Sequence, residues 1–416
     1  MMEQVNFQHI VVVMDQALYA KATETLWKHR DEYSNVVIRM GTFHTILALL
    51  AILGKRFQDA GLRDLCIESG ILAEGSVTGV LEGKMYNRAV RVHRYIFEAL
   101  FRAAWKEFIP WMEQNHPNEL HPVQALLEHI SDLHDDLDQQ HFDALLGHDD
   151  MRKSLELWNE YLAFLRNNNG DMSSFWVSYM DIVGNILLGL LRAAREGNWT
   201  LHLFAIRQMI PWCFAYDRLN YARYLPAYYA QMTHLETEHP EVYENFVAGG
   251  FSVQLASSNP FGRIPVDQTT EVTVNKDTQT TGGTTKYSQK AGAVNRYYLT
   301  SEYRSMFLSE LRDMTQVNRS DFHHGELQKP RITKDEKAVS DITEVLGNWV
   351  NPFEGSRELT SISTASAIPD NIRDDLMTAK AKGDEAYEIF KKERLEKDPP
   401  SKKLHDPMKK LQLKFE

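Results

Sequence analysis

Two carboxylates stand out by the company they keep. Asp15 closes HIVVVMDQ, an unbroken run of β-branched residues ending in an acid, and Glu271 lies far along the chain in VDQTTE. Acids brought together from distant segments can share a divalent cation, which activates water or a hydroxyl and steadies the leaving oxygen at phosphorus. Acids at strand ends and in first helical turns are also common for purely structural reasons. A second group with metal-ligand chemistry runs from Trp111 to Glu160: His116, His121, His129, His134, His141 and His148, with Asp132, Asp135, Asp136 and Asp138 among them. Its spacings never settle into HxxxH or HExxH on one face, so it reads better as a solvated acidic surface than as a metal hydrolase centre. Cys66 and Cys213 are far apart and outside any CxxC spacing, which excludes a zinc ribbon and a disulfide framework.

The elements that must position these residues follow from periodicity. His9 to Gln16 reads as a buried parallel strand, QALYAKATETLWKH as a helix and NVVIRM as a second strand. A right-handed crossover makes the strands parallel and sets Asp15 at a carboxyl end, where open α/β sheets place their chemistry. From His44 to Gly249 the pattern is helical almost throughout. In SFWVSYMDIVGNILLGLLRAAR, the residues Phe175, Tyr179, Ile182, Ile186, Leu187, Leu190 and Leu191 line one face, with Arg192 and Arg195 at the C-terminal end. After Gly249 a Thr, Ser and Gly-rich stretch leads into a short helix that Asp267 or Thr269 can cap, placing Glu271 in its first two turns and Asn275 one turn on. Gly282 and Gly283 lack the lysine and spacing of a phosphate loop and read as linker. A further helix is expected over VNRYYLTSEYRSMFLSELRDMTQ, then a polar tail with one short helix near Asp384 to Leu395. The fold class is thus an α/β core, a partial sheet, carrying a large all-α insertion and predominantly helical overall. Its parts are 1–43, 44–250, 251–325 and 326–416.

Composition narrows the function. The 416 residues carry 46 basic and 57 acidic side chains, a formal net charge of −11, so the overall basic field of a self-sufficient DNA-binding domain is missing and any nucleic-acid surface is local. The opening MMEQVNFQHI lacks a basic n-region and apolar stretch, and FHTILALLAIL and IVGNILLGLL fall short of about twenty residues, so neither secretion nor a membrane span is expected. A reducing intracellular compartment fits the cysteine usage.

The order of strand, helix, strand, helical block and acid-bearing helix is similar to the ribonuclease H-like core of cut-and-paste transposases, with HIVVVMD as the fourth strand and NVVIRM as the fifth. Family motifs point the same way. VVVMDQALYAKATETLW, VIRMGTFHTILALLAILGKRFQDAGLRDL, EGKMYNRAVRVHRYIFEAL, GNWTLHLFAIRQMIPWCFAYDRLNYARYLPAYYAQM, FGRIPVDQTTEVTVNKDTQTTGG and LEKDPPSKKLHDPM together resemble a multicopy family of animal proteins that look like products of DNA transposons. The resemblance implies a DDE-type site in which Asp15, Glu271 and His44 act, with Asp15, Glu271 and Asp267 as ligands of Mg2+ or Mn2+. It also implies transposon-end DNA as partner, a nuclear location and a possible homo-oligomer. Arg218, Arg223, Lys55 and Arg56 are candidates for phosphate contacts, against the ordinary reading of solvated surface charge. Trp212, Phe214, Tyr216, Tyr221, Tyr224, Tyr228 and Tyr229 could stack bases, though such density within helices is more often core. Asp217 and Asn220 in YDRLNYARY belong to a family motif with no assigned role.

Relatives in that family carry a longer N-terminal part, where the first-strand acid would lie, so the expectation is a transposase-like chain that is truncated and catalytically incomplete. The runner-up is a non-enzymatic helical interaction protein whose acids are structural.

Overall fold

The computed structural model describes residues 8–120, 123–124, 148–255, 261–272 and 329–395, with separate positions at 292, 295, 299–300, 303, 306–307, 310, 314, 404, 408 and 410–413. The protein is predominantly helical, with two small two-stranded sheets among the described residues. Two compact units divide it: Met1–Thr45, Arg192–His202 and Thr233–Lys337 form the first, and Ile46–Leu191, Leu203–Met232 and Ala338–Glu416 form the second.

In the first unit, β1 (Ile10–Met14) leads through α1 (Gln16–Lys28) to β2 (Val36–Met40). The strands pair in parallel from Ile10 opposite Val36 to Met14 opposite Met40, and the Gly41 amide adds one more rung by donating to the Met14 carbonyl at 2.8 Å. Asp15 turns the chain from strand to helix as the N-cap of α1, its Oδ1 accepting from the Leu18 amide at 2.8 Å. Strand β1 is less buried than its apolar run suggests. Val11 is 38% exposed, because among the described residues β2 is its only sheet neighbour. β2, by contrast, is buried from Val37 to Met40.

Helix α2 (Thr42–Phe57) starts immediately after β2. Later segments of the unit return to this point. An antiparallel pair, β3 (Ser252–Gln254) with β4 (Arg263–Pro265), runs directly into the short helix that ends at Thr270. Arg39 ties that pair to β2. Its buried guanidinium, 1% exposed, donates to the Phe251 carbonyl and, at 3.1 Å, to Thr42 Oγ1. It lies 5.2 Å from the Phe251 ring centroid, 5.6 Å from Phe246 and 6.0 Å from Trp199, so ring faces take the place of a carboxylate partner.

The second unit is a helical assembly. Its long members are α3 (Tyr86–Asn115), α4 (Asp149–Asn167), α5 (Asp171–Glu196, whose last turns belong to the first unit), α6 (Trp199–Ala215, which starts there) and α7 (Leu219–Thr233). α5 is long and apolar enough to cross a bilayer, but 61% of its most apolar window is buried; the face expected from sequence is buried from Phe175 to Leu190 with Leu191 part-exposed, and Trp176, Val177 and Val183, outside that face, are buried as well. It is π-helical over Ile182–Leu188. Phe57, Phe175, Trp176 and Tyr179 pack ring against ring in the core. Where the sequence reads as a polar tail, two long helices form instead: Lys329–Asn348, which begins in the first unit, and Asp370–Phe390. The second starts well before the Asp384 expected, because Leu376, Ala379 and Gly383 supply a small apolar seam ahead of Phe390. Of the helix expected over VNRYYLTSEYRSMFLSELRDMTQ, the described positions 295, 299, 303, 306, 307, 310 and 314 are helical and Thr300 is a turn; its other residues, and Gly282, Gly283 and Asn275, lie outside the described residues.

Candidate functional site

The site forms where the parallel strands end. Gly41 follows β2, and the first turn of α2 presents the amides of Phe43 and His44, which a helix start leaves unpaired. The Asp267 carboxylate takes both, Oδ1 from Phe43 at 3.1 Å and Oδ2 from His44 at 3.1 Å. The same Oδ2 accepts from His44 Nδ1 at 3.1 Å, which leaves Nε2 3.6 Å from Glu271 Oε1, an ion-pair distance. Gly41 is required for this approach, since a Cβ there would fall inside the Asp267 carboxylate. Asp267 is therefore not the cap of its own short helix, as the sequence suggests; Pro265 occupies that position and the aspartate caps α2 instead.

His44 is held by charge on several sides. The hydrogen bond to Asp267 raises its pKa above the ordinary 6.5, burial opposes the rise, and the negative charges of Asp267, Glu271 and Asp15 add to it. Side-chain exposure is 27% for His44, 29% for Glu271 and 7% for Asp267, so the aspartate is the buried end of the group and the glutamate the open end.

Four of the residues singled out from sequence, Asp15, His44, Asp267 and Glu271, thus share one neighbourhood in one unit. Their donor chemistry does not fit a divalent-ion cage. Asp267 already accepts three hydrogen bonds, one Asp15 oxygen is committed to Leu18, and the imidazole between Asp267 and Glu271 is itself a cation when protonated. Among the described residues no group of three or more His, Cys, Asp or Glu is arranged to hold a metal ion. In the histidine segment, His121, His129, His134 and His141 lie outside the described residues; His116 pairs with Glu160 at 3.2 Å, and His148 caps α4.

The basic candidates separate. Arg56 is buried and donates to Tyr216 Oη, the Leu376 carbonyl and Ser178 Oγ at 2.9, 2.9 and 3.0 Å, among Phe57, Phe175 and Trp212, so it is a core residue that does not reach a phosphate. Arg218 and Arg223 are half-buried and Lys55 is exposed. Trp212, Phe214, Tyr216, Tyr224 and Tyr228 are buried, so those rings serve the core; Tyr221 and Tyr229 are partly exposed.

Sequence reading missed Arg39 and Gly41. A glycine between a strand and a helix start was the available signal for close approach; Arg39, one charge inside VVIRM, gave none.

From residue 1 to residue 414 the chain matches a family model described as a domain of unknown function, DUF8702. The chain belongs to that family. No curated protein and no solved structure matches it. What DUF8702 does is therefore argued from the carboxylate–histidine group and the elements that carry it.

Proposed function

We propose that this DUF8702 chain is a transposon-derived, transposase-like protein containing a partial ribonuclease H-like unit, and that its carboxylates serve as a structural latch rather than as a strand-cleaving centre in this arrangement. One observation carries the reading: acids and a histidine from either end of a long helical block meet at the carboxyl ends of two parallel strands, in the order a DDE-type core requires, yet protein donors already engage them. The meeting supports the ancestry, and the engagement supports the loss of cleavage. Transposon-end DNA remains the partner class and the nucleus the compartment under this reading. No step is assigned to Mg2+ or Mn2+.

The test uses the full chain with supercoiled DNA and MnCl2, and measures Mn2+ binding by titration calorimetry. The expected result is no Mn2+-dependent nicking and no saturable site that Glu271→Gln removes. Nicking that Asp15→Asn and Glu271→Gln both abolish would overturn the latch. Ancestry is tested separately at the genomic loci of close copies: terminal inverted repeats should flank some of them, and their absence from all would remove the transposon reading.

A further inference from the structure

The YDRLN segment, residues 216–220, has no part in the carboxylate–histidine group. Its aspartate is costly where it stands. Asp217 follows the C-terminus of α6 with φ +50°, a left-handed conformation in which glycine or asparagine is usual. The helix end is closed by the Asp217 amide donating to the Phe214 carbonyl at 3.3 Å and the Arg218 amide to the Cys213 carbonyl at 2.9 Å. A carboxylate at this end of a helix also faces the negative pole of the macrodipole. Backbone conformation and helix field both disfavour the residue, and glycine would close the helix more cheaply.

What the aspartate adds is recognition. Its Oδ1 accepts from the Leu411 amide at 2.9 Å and its Oδ2 from the Gln412 amide at 3.3 Å. Gln412 is itself left-handed, φ +51°, and two successive amides aimed at one carboxylate are a grouping suited to an anion. Upstream in the same segment Leu404 is completely buried, while the sequence around these positions, SKKLHDPMKKLQLKFE, is rich in lysine. Two successive amides thus meet one carboxylate, within the second unit.

We propose that the YDRLN corner is a peptide-docking site, that Asp217 recognises two successive main-chain amides of a lysine-rich segment, and that its occupant is this chain's own C-terminal stretch at residues 411–412. Because the contact at 411–412 is to backbone, it selects the backbone conformation rather than the side chains. Asn220 of the motif is exposed and takes no part.

Hydrogen–deuterium exchange on the full chain tests this with two variants. Asp217→Gly removes the carboxylate while relieving the left-handed backbone, and Asp217→Asn keeps a residue that tolerates the left-handed helix end but replaces one acceptor oxygen by a donor facing the 411–412 amides. Exchange over residues 408–413 should rise at least tenfold in both, with protection of α6 and α7 unchanged. Unchanged exchange in either variant overturns the proposal. If Asp217→Gly also loosens α6, Asp217→Asn decides by itself. Tenfold dilution of the wild type should leave the protection intact; loss on dilution would assign the segment to a second copy and overturn the intramolecular docking.

Discussion

Asp267 Oδ2 lies 3.1 Å from both the backbone nitrogen and the Nδ1 of His44, across a sequence separation of 223. One oxygen therefore caps a helix and fixes an imidazole at once. The two tasks are separable by substitution.

Asp267→Asn keeps one acceptor oxygen for an α2 amide but replaces the other oxygen by a donor and loses the charge opposite the imidazole, whereas Asp267→Ala loses both acceptors and the charge. The expected costs are about 1 kcal/mol for asparagine, and about 2–4 kcal/mol for alanine, summing a lost cap and a lost hydrogen bond to a charged group. Gly41→Ala should cost about 1–3 kcal/mol, the range for overpacking, because its Cβ displaces the same carboxylate. Urea unfolding of the three variants measures this. If Gly41→Ala were neutral, the close approach of Asp267 to Gly41 would not be a feature of the folded protein.

The His44–Asp267 pair also sets a pH dependence. The folded-state pKa of His44 is raised above 6.5, first by the Asp267 hydrogen bond and then by the charges of Asp267, Glu271 and Asp15, against the opposing effect of burial. The folded state therefore binds the proton more tightly than the unfolded state. Its stabilisation is fully present below about pH 6.5, the unfolded value, and is lost as pH rises through the higher folded value. Unfolding free energies from pH 6 to 9 should fall more steeply for the wild type than for His44→Gln. Parallel curves would remove the charged pair from the account.

Arg39 gives a contrast in how a buried cation is held. Arg39→Ala removes the donors to Phe251 and Thr42 and empties the space among three rings, so a loss of about 3–5 kcal/mol is expected. Arg39→Met refills that space and should recover about half. Thermal or urea denaturation separates the two; equal losses would place the stabilisation in the hydrogen bonds rather than in the ring packing.

The strand–helix–strand start was legible because its signals are local: a β-branched run, an aspartate able to cap, an amphipathic helix and a second apolar run. The meeting of Asp15, His44 and Glu271 was legible only through the order of elements, and distances say nothing of it in sequence. The specific role of Asp267 was not legible, since a cap from another segment leaves no trace near α2, and the local rule pointed to its own short helix. Arg56 misled for a related reason. Charge at the end of FHTILALLAILGKR looks solvated, but Tyr216, Ser178 and the Leu376 carbonyl arrive from elsewhere to receive it. The helix Asp370–Phe390 was within reach: Leu376, Ala379 and Gly383 recur at three and four, a sparse stripe that average hydropathy hides.

The contact between Asp267 and the start of α2 also has a schedule. Synthesis proceeds from the N-terminus at about 5–20 residues per second, so Asp267, 223 positions after His44, follows it by roughly 10–45 s. For that interval the Asp267 cap is not available to the first turn of α2. The carboxylate that completes it is among the late arrivals, so this corner of the first unit closes only after the whole helical block has been made.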